Sequence, residues 1–341
     1  MNYTPYYYPS SFCKFLIDDT SKFSHLYGDR LANHLPMSLV ALDAMGATES
    51  QLRWFTEFYQ KRLEIRDTKV TKNVSHISDI LWKSDSFEGA VSFFLQKIHH
   101  SDIHTVLTEY IDLLAPGISA SAFHALIRLS YGIEIQSPNE VAIWLAYLTT
   151  EYQFVGEPSS QSNDTPEDCM GRTNDIVWKI EIDRSGIIAD YIYQVSHSAL
   201  FHPFLTISDN ISIDSIADIT LNAYLASHNN FTLLHGVTAT HALRSILPFS
   251  WNRQRMLEYF WIAFVAAYMT TGEKYAAYAP RQIMIDGDEY FDIQKKLACE
   301  SLDDHTIKLT YTTWREWQKS GDTRYIEALQ THYEFPEDDD I

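Results

Sequence analysis

Apolar side chains recur at the spacing of an α-helix along most of this 341-residue chain, and this pattern restricts the fold more than any other feature. In residues 49–66, for example, Leu52, Phe55, Tyr59 and Leu63 fall on one helix face. The same spacing predicts helices over 36–46, 49–66, 87–98, 103–114, 119–131, 139–152, 213–226, 229–247, 253–271, 290–300, 303–319 and 323–332. Short connectors separate these segments, and no repeat or long linker divides them. We therefore expect an all-α fold, a single large multi-helix domain spanning residues 1–341.

Three stretches depart from the helical pattern. Residues 156–175 are polar and rich in Ser, Asp and Gly, which predicts a surface loop or a lid. Residues 177–195 have the apolar composition of a short strand pair. Four of the six residues 336–341 are acidic, which predicts a solvated tail.

The charge of the chain excludes two classes of partner. A formal net charge of −19 repels phosphate backbones and anionic membranes, so we expect neither a nucleic acid nor a membrane as a partner. No apolar run is long enough to span a bilayer, and the first residues lack the pattern of a secretory signal. The three cysteines are widely spaced and do not suggest a disulfide framework. These features predict a cytoplasmic protein.

The common catalytic signatures are missing from the sequence. No glycines follow the GxGxxG spacing of a dinucleotide site, and there is no GxxxxGK[ST], GxSxG, HExxH or CxxC motif. None of the 14 histidines has a glutamate three residues before it, so the ExxH motif of di-iron bundles is also missing. A nicotinamide or flavin site of the usual kind is therefore not expected.

Several histidines stand in unusually apolar helical surroundings. The candidates are His34 just before a helix, His124, the spaced pair His228 and His235, and His305 three residues before Lys308. A single histidine of this kind is more often a core residue that hydrogen-bonds to its neighbours. Several of them on separate apolar helices favour a shared metal, because one ion can satisfy several buried imidazoles at once.

Four segments together resemble the questin oxidase family. They are NHLPMSLVALDAMGA (33–47), PGISASAFHALIRLSYGIE (116–134), HNNFTLLHGVTATHALRSILP (228–248) and DDHTIKLTYTTW (303–314), in the family's order along the chain. The resemblance implies an oxidoreductase. In this family two accounts exist, a mononuclear non-heme iron centre held by histidines and a carboxylated lysine, and an NADPH-linked Baeyer–Villiger enzyme. The missing nucleotide fingerprint favours iron.

Carried over position by position, the resemblance predicts a set of metal ligands. The predicted ligands are His34, His124, His235, His305 and Lys308, the last as an anionic carbamate that would part-neutralise Fe(II). His241 and Arg244 are candidates for orienting the substrate, although His241 is six residues after His235 and points away from its face.

The substrate is not carried over from the family. Fungal relatives act on anthraquinones, but this chain is shorter and has Met37 where many of them have a further histidine. Thr238 and Thr240 resemble the bacterial branch instead. We therefore expect an iron oxygenase that uses O₂ on an aromatic or polyketide-like small molecule. The alternatives are an NADPH- or flavin-linked Baeyer–Villiger-type monooxygenase and a non-catalytic helical binding protein.

Overall fold

The computed structural model describes residues 7–70, 74–159, 161–162, 164–208 and 211–335. The predicted acidic tail, 336–341, lies outside the described residues. The α-helices are α1 (Ser11–Thr20), α2 (Leu35–Ala44), α3 (Glu49–Tyr59), α4 (Phe87–His100), α5 (Ile103–Leu114), α6 (His124–Glu134), α7 (Pro138–Thr150), α8 (Pro166–Thr173), α9 (Ile188–Ser196), α10 (Ile213–Ala226), α11 (Phe231–Ile246), α12 (Arg253–Thr270), α13 (Gly287–Ala298), α14 (Asp304–Ser320) and α15 (Arg324–Glu334).

Strands are few and short. β1 (Leu26–Tyr27) pairs antiparallel with β2 (Leu31–Ala32), and β3 (Gln161–Ser162) pairs parallel with β4 (Ile207–Ser208). No larger sheet forms among the described ranges. The all-α prediction is therefore confirmed. None of the described helices has the length and apolar character needed to cross a membrane.

Side-chain caps begin the helices where the sequence predicts them. Asp102 accepts a hydrogen bond from the Thr105 amide, and α5 starts at Ile103 and ends at Leu114 as predicted. Ser212 caps α10 in the same way through the Ser215 amide. Most of the other predicted helices end within a few residues of their predicted bounds, where the terminal hydrogen bonds of a helix are weakest.

The prediction of a loop over residues 156–175 is wrong for its second half. Helix α8 lies there, with Thr165 and Asp168 capping each other's backbone amides and Pro166 in the first turn. The predicted strand pair at 177–195 is also wrong. Residues 177–179 form a 3-10 turn, and 188–196 form α9, whose buried residues include Ile192 and Val195 at helical spacing.

Helix α6 begins five residues later than predicted. Ser121, Ala122 and Phe123 have φ angles of 49°, 53° and 69°, so three successive residues are left-handed. Non-glycine residues adopt this conformation only when the surrounding structure requires it. A right-handed helix therefore cannot run through this segment, and it begins at His124.

The apolar side chains of all these helices join in a continuous buried core. Helix α12 is buried on every side over its last twelve residues, from Tyr259 to Thr270, and α7 is buried over nearly its whole length. Gly236 lets α11 approach α12 closely, because a Cβ at this position would lie 2.7 Å from the Phe264 ring. Four helices, α2, α6, α11 and α14, pack against one another beside this core.

Candidate metal centre

Four histidines from four helices meet where α2, α6, α11 and α14 pack together. His34 precedes α2, His124 begins α6, His235 lies in the second turn of α11, and His305 lies in the first turn of α14. The ring centroids are 4.7 Å apart for His34 and His124, 4.6 Å for His124 and His235, 5.6 Å for His235 and His305, and 5.1 Å for His305 and His34. The four imidazoles thus form a closed cluster, although more than 270 residues separate the first from the last.

Backbone carbonyls fix the orientation of two of these rings. The Nδ1 atom of His124 donates to the Ser121 carbonyl at 2.5 Å, and that of His235 donates to the Phe231 carbonyl at 2.8 Å. The Nε2 atoms of both rings then carry lone pairs, and they lie 3.1 Å apart. Two lone pairs at this distance repel each other unless a positive group lies between them, so the pair requires a proton or a cation.

The carboxylate of Asp304 orients the other two rings. Its Oδ2 lies 2.8 Å from His34 Nδ1, and its Oδ1 lies 3.1 Å from His305 Nδ1. The Nε2 atom of His34 is buried and has no hydrogen-bond partner among the described residues. Ligand atoms of His34, Asp304 and His305 lie within 4.8 Å of one another, an arrangement that can hold a metal ion.

Lys308 is buried beside His34, one helical turn after Asp304. Its Nζ lies 2.8 Å from His34 Nδ1, the atom that Asp304 also contacts. A single Nδ1 atom cannot donate to the carboxylate and accept from an ammonium at the same time. If it donates to Asp304, the Nε2 atom of His34 keeps a lone pair; if it accepts from Lys308, that lone pair is lost. The protonation state of Lys308 therefore decides whether His34 can act as a ligand.

The imidazoles of the cluster are neutral. Burial, with the charge of Lys308, lowers the pKa of His34 and lowers the pKa of His235 to about 3. Burial and the neighbouring rings hold the pKa of His124 well below its usual value, and burial and Lys308 do the same for His305. Burial opposes ionisation of Asp304, but His305, His34 and Lys308 outweigh it and hold its pKa well below the usual value. Neutral imidazoles beside a carboxylate are what a divalent cation requires.

A cavity of about 530 Å³ opens onto this cluster. His34, His124, Asp304 and His305 line it together with aromatic and aliphatic side chains, among them Tyr27, Phe58, Tyr191, Phe231, Ile187 and Leu302. The ring of Phe231 lies 4.7 Å from both His235 and His305 and covers one side of the cluster. The cavity has the size and apolar character of a small-molecule site.

Buried polar contacts fix the segment that carries His34. The amide of His34 donates to the Tyr59 hydroxyl at 3.1 Å, and the Arg128 guanidinium donates to the Asn33 carbonyl at 2.8 Å. Arg128 lies over the Trp144 ring at 3.1 Å. These contacts hold the backbone of His34 against α6 and α3.

The structure does not bring His241 and Arg244 to the cavity. His241 Nδ1 lies 2.7 Å from one oxygen of Glu316, and Arg244 donates to the other at 3.0 Å and to Asp214 at 2.6 Å. Neither residue lines the cavity. Their positions on α11, six and nine residues after His235, turn them toward a separate ion-pair cluster.

Sequence reasoning overlooked Asp304. Two successive aspartates at a predicted helix start indicate a cap, and Asp303 does cap α14 by accepting from the His305 and Thr306 amides. The second aspartate adjoins a candidate ligand, and that adjacency was the available signal. Tyr59 and Arg128 gave no comparable signal, because their contacts join distant segments.

The comparison with protein families gives one match. The family model described as Questin oxidase-like matches residues 31–206 and 213–313. The chain belongs to this family. The matched ranges of the Questin oxidase-like family include all four histidines of the cluster, Asp304 and Lys308. No curated protein matches the chain. Membership in the Questin oxidase-like family indicates an oxidoreductase that acts on a small molecule.

Proposed function

We propose that this protein is a mononuclear non-heme iron oxygenase that acts on an aromatic small molecule held in the cavity. The observation that carries the proposal is the closed cluster of four neutral imidazoles, of which His34 and His235 are buried and the other two are half-buried, with Nδ1 atoms at carbonyl or carboxylate oxygens. Imidazole is a good ligand for iron, and its orientation by an oxygen at the other nitrogen is typical of metal sites.

The donor set fits a divalent cation. His34, His124, His235 and His305 would supply neutral nitrogen ligands, and the close Nε2 atoms of His124 and His235 are relieved by a positive charge between them. Asp304 would complete a carboxylate–histidine–metal arrangement for two of the rings. Bound iron would supply the O₂ chemistry that amino-acid side chains lack.

Lys308 decides the charge of the site. A cationic lysine would repel a metal at the position next to His34, by several kcal/mol at close range even with an effective dielectric of about 20. As a carbamate, Lys308 would instead add an anionic oxygen ligand. It would also leave His34 Nδ1 free to donate to Asp304, so that His34 Nε2 could bind the metal.

The other residues would hold and shield the substrate. Phe231 covers the imidazoles, and aromatic walls such as Tyr27 and Phe58 offer faces against which a flat ring can stack. With a substrate bound, the apolar part of the lining would limit the water above the cluster and so strengthen electrostatic interactions there.

Metal analysis of the purified protein tests the proposal. We expect one iron per chain in the wild type, measured by inductively coupled plasma mass spectrometry, and little in His235→Gln or Lys308→Arg. Guanidinium neither loses its proton nor forms a stable carbamate in a protein. His197→Gln, at an exposed position, is the matched control and should load like the wild type.

Other outcomes separate the alternatives. A stable, metal-free wild-type protein with a flavin spectrum would support the monooxygenase alternative and contradict the proposal. A stable protein with neither metal nor flavin after anaerobic incubation with Fe(II) would support a binding protein. Normal iron content in Lys308→Arg would contradict the role of Lys308 alone.

A further inference from the structure

Arg62 lines the cavity at an exposed position, with its guanidinium beside two aromatic rings. It ends the 3-10 turn Gln60–Arg62 that follows α3, and its guanidinium carbon lies 5.3 Å from the Phe58 ring centre and 4.6 Å from that of Tyr59. Cation–π contacts of this kind position a guanidinium and leave its N–H edges available. Arg62 and Phe58 both line the cavity.

The two arginines of the cavity differ in their partners. Arg30 donates twice to the Asp190 carboxylate, at 3.0 and 3.2 Å, so its charge is compensated. Arg62 forms no ion pair with a carboxylate of the part of the chain that the structure describes.

The acidic side chains of the cavity are already engaged elsewhere. Asp304 lies between His34 and His305, and Asp303 accepts from two amides at the start of α14. Neither is paired with Arg62. The guanidinium of Arg62 is therefore the charge in the cavity lining that lacks a described counter-ion.

Tyr59 connects Arg62 to the imidazole cluster. The Tyr59 ring lies under the guanidinium, and its hydroxyl accepts the His34 amide at 3.1 Å. Tyr59 therefore links the position of the guanidinium to the backbone of His34. A cavity of about 530 Å³ has room for a molecule with one or two fused rings.

We infer that the cavity binds an aromatic carboxylate and that Arg62 binds its carboxylate group. The inference rests on the proposed function in taking the ligand to be the substrate. Guanidinium matches a carboxylate with two parallel hydrogen bonds. Arg62 would thereby place the far end of the ring system toward the imidazoles.

Binding of a matched pair of probes tests this inference. The probes are 2-naphthoate and its neutral isostere 2-naphthamide, and affinity is measured by isothermal titration calorimetry. We expect the wild type to bind the carboxylate more tightly than the amide. Arg62→Gln should weaken carboxylate binding about tenfold or more and leave amide binding unchanged, since a charge-assisted bidentate pair is lost. The affinity of Arg62→Lys for the carboxylate should lie between those of the wild type and Arg62→Gln.

Arg53→Gln is the matched control. The substitution removes the same charge from helix α3. The Arg53 guanidinium also lies over an aromatic ring, 5.0 Å from the centre of Phe12, but Arg53 does not line the cavity. It should bind both probes like the wild type. Equal weakening by Arg53→Gln and Arg62→Gln would overturn the inference, because it would show a general charge effect.

The titrations are run on metal-loaded and metal-stripped protein. The effect of Arg62→Gln should persist after stripping, whereas a carboxylate that binds the metal directly would lose its preference. No preference for naphthoate over naphthamide in either form, including no binding of either, would overturn the inference. Iron content is measured on the same samples, so failure of the inference is distinguishable from failure of the proposed iron centre.

Discussion

At the scale of single residues, Asp304 controls two imidazoles through one carboxylate. It contacts the Nδ1 atoms of His34 and His305, and both rings must expose Nε2 for a metal to bind. Losing the carboxylate frees both rings to rotate or change tautomer, while the ligands themselves stay present. Asp304 therefore contributes by fixing the orientation of the two imidazole rings and by raising the basicity of their Nε2 atoms.

Asp304→Asn is expected to weaken Fe(II) binding about 10- to 100-fold, the usual cost of removing an orienting partner of metal-bound histidines. An amide cannot accept from both imidazoles with the strength of a carboxylate. Anaerobic Fe(II) titration of stripped protein measures the effect. Asp292→Asn, on the exposed face of α13, should bind like the wild type. Unchanged affinity in Asp304→Asn would show that Asp304 does not orient the ligands.

His25 provides a pH-dependent contribution to stability outside the cluster. Its ring stacks on Phe87 at 3.6 Å, and neither ring nitrogen has a hydrogen-bond partner among the described residues. Burial, with the charges of Arg128 and Arg66, lowers its pKa from 6.5 to about 3. Below pH 6.5 the unfolded chain takes up a proton at His25 that the folded chain does not. Stability from this residue is thus full above pH 6.5 and is lost as the pH falls toward 3.

His25→Phe should make the free energy of unfolding less dependent on pH. Between pH 7 and pH 5 the wild type should lose about 2 kcal/mol through His25, which the variant keeps, because each pKa unit is worth about 1.4 kcal/mol. Urea unfolding at the two pH values measures the difference. The exposed His99→Gln should keep the wild-type slope. If the free energy of unfolding of His25→Phe changed with pH as much as that of the wild type, His25 would not be the source of the pH dependence.

At the scale of elements, the left-handed segment before α6 positions His124. Three successive positive φ angles bring the Ser121 carbonyl back over the start of α6, where it accepts from both the amide and Nδ1 of His124. Each left-handed residue costs roughly 1–2 kcal/mol. Strain of this size beside a predicted ligand is consistent with a segment whose role is to orient the His124 ring.

Ala122→Gly should change the free energy of unfolding by less than about 1 kcal/mol, since relief of left-handed strain offsets the lost buried methyl group. Ala125→Gly, at the second residue of α6 and equally buried, should cost about 1–2 kcal/mol, because there glycine only loses helix propensity and packing. Thermal or urea unfolding of the two variants measures the contrast. Equal destabilisation would show that residue 122 is not strained.

Local sequence rules predict most helices but fail where average composition hides a short capping motif or where a short apolar run fits both a helix and a strand. The composition of residues 156–175 is polar, yet Thr165, Pro166 and Asp168 carry a helix start that composition conceals. Ile188, Ile192 and Val195 fit a helix as well as a strand over so short a run. The late start of α6 has no local signal, because its strain is imposed by packing with distant helices.

At the scale of the whole molecule, the site depends on folding of the entire chain. Histidines on separate apolar helices were predictable as candidates, and the structure brings His34, His124, His235 and His305 together. The sequence alone does not show whether Asp304 caps α14 or orients the histidines. Only the packing of α14 against α2 places its carboxylate beside the two imidazoles. His241 and Arg244 lie on the same helix as His235, but the turn of the helix directs them to Glu316.

A bound metal should stabilise the whole protein, because its ligands come from helices far apart in sequence. Metal that binds only the folded state at 100 times its dissociation constant adds about 2.7 kcal/mol. Addition of a chelator should therefore lower the midpoint of thermal unfolding of the wild type by several degrees. His235→Gln should unfold at the same temperature with and without chelator. An unshifted wild-type midpoint would show that no metal is coupled to folding.

X-ray absorption at the iron edge of the Fe(II)-loaded protein tests the central claim most directly. The account predicts a first shell with at least three imidazole nitrogens at roughly 2.0–2.2 Å, recognised by multiple scattering from the rings. Loss of one imidazole contribution is expected in His124→Gln that still retains iron. A first shell of oxygen atoms alone, with no imidazole scattering, would contradict the account, since iron would then lie outside the cluster of His34, His124, His235 and His305.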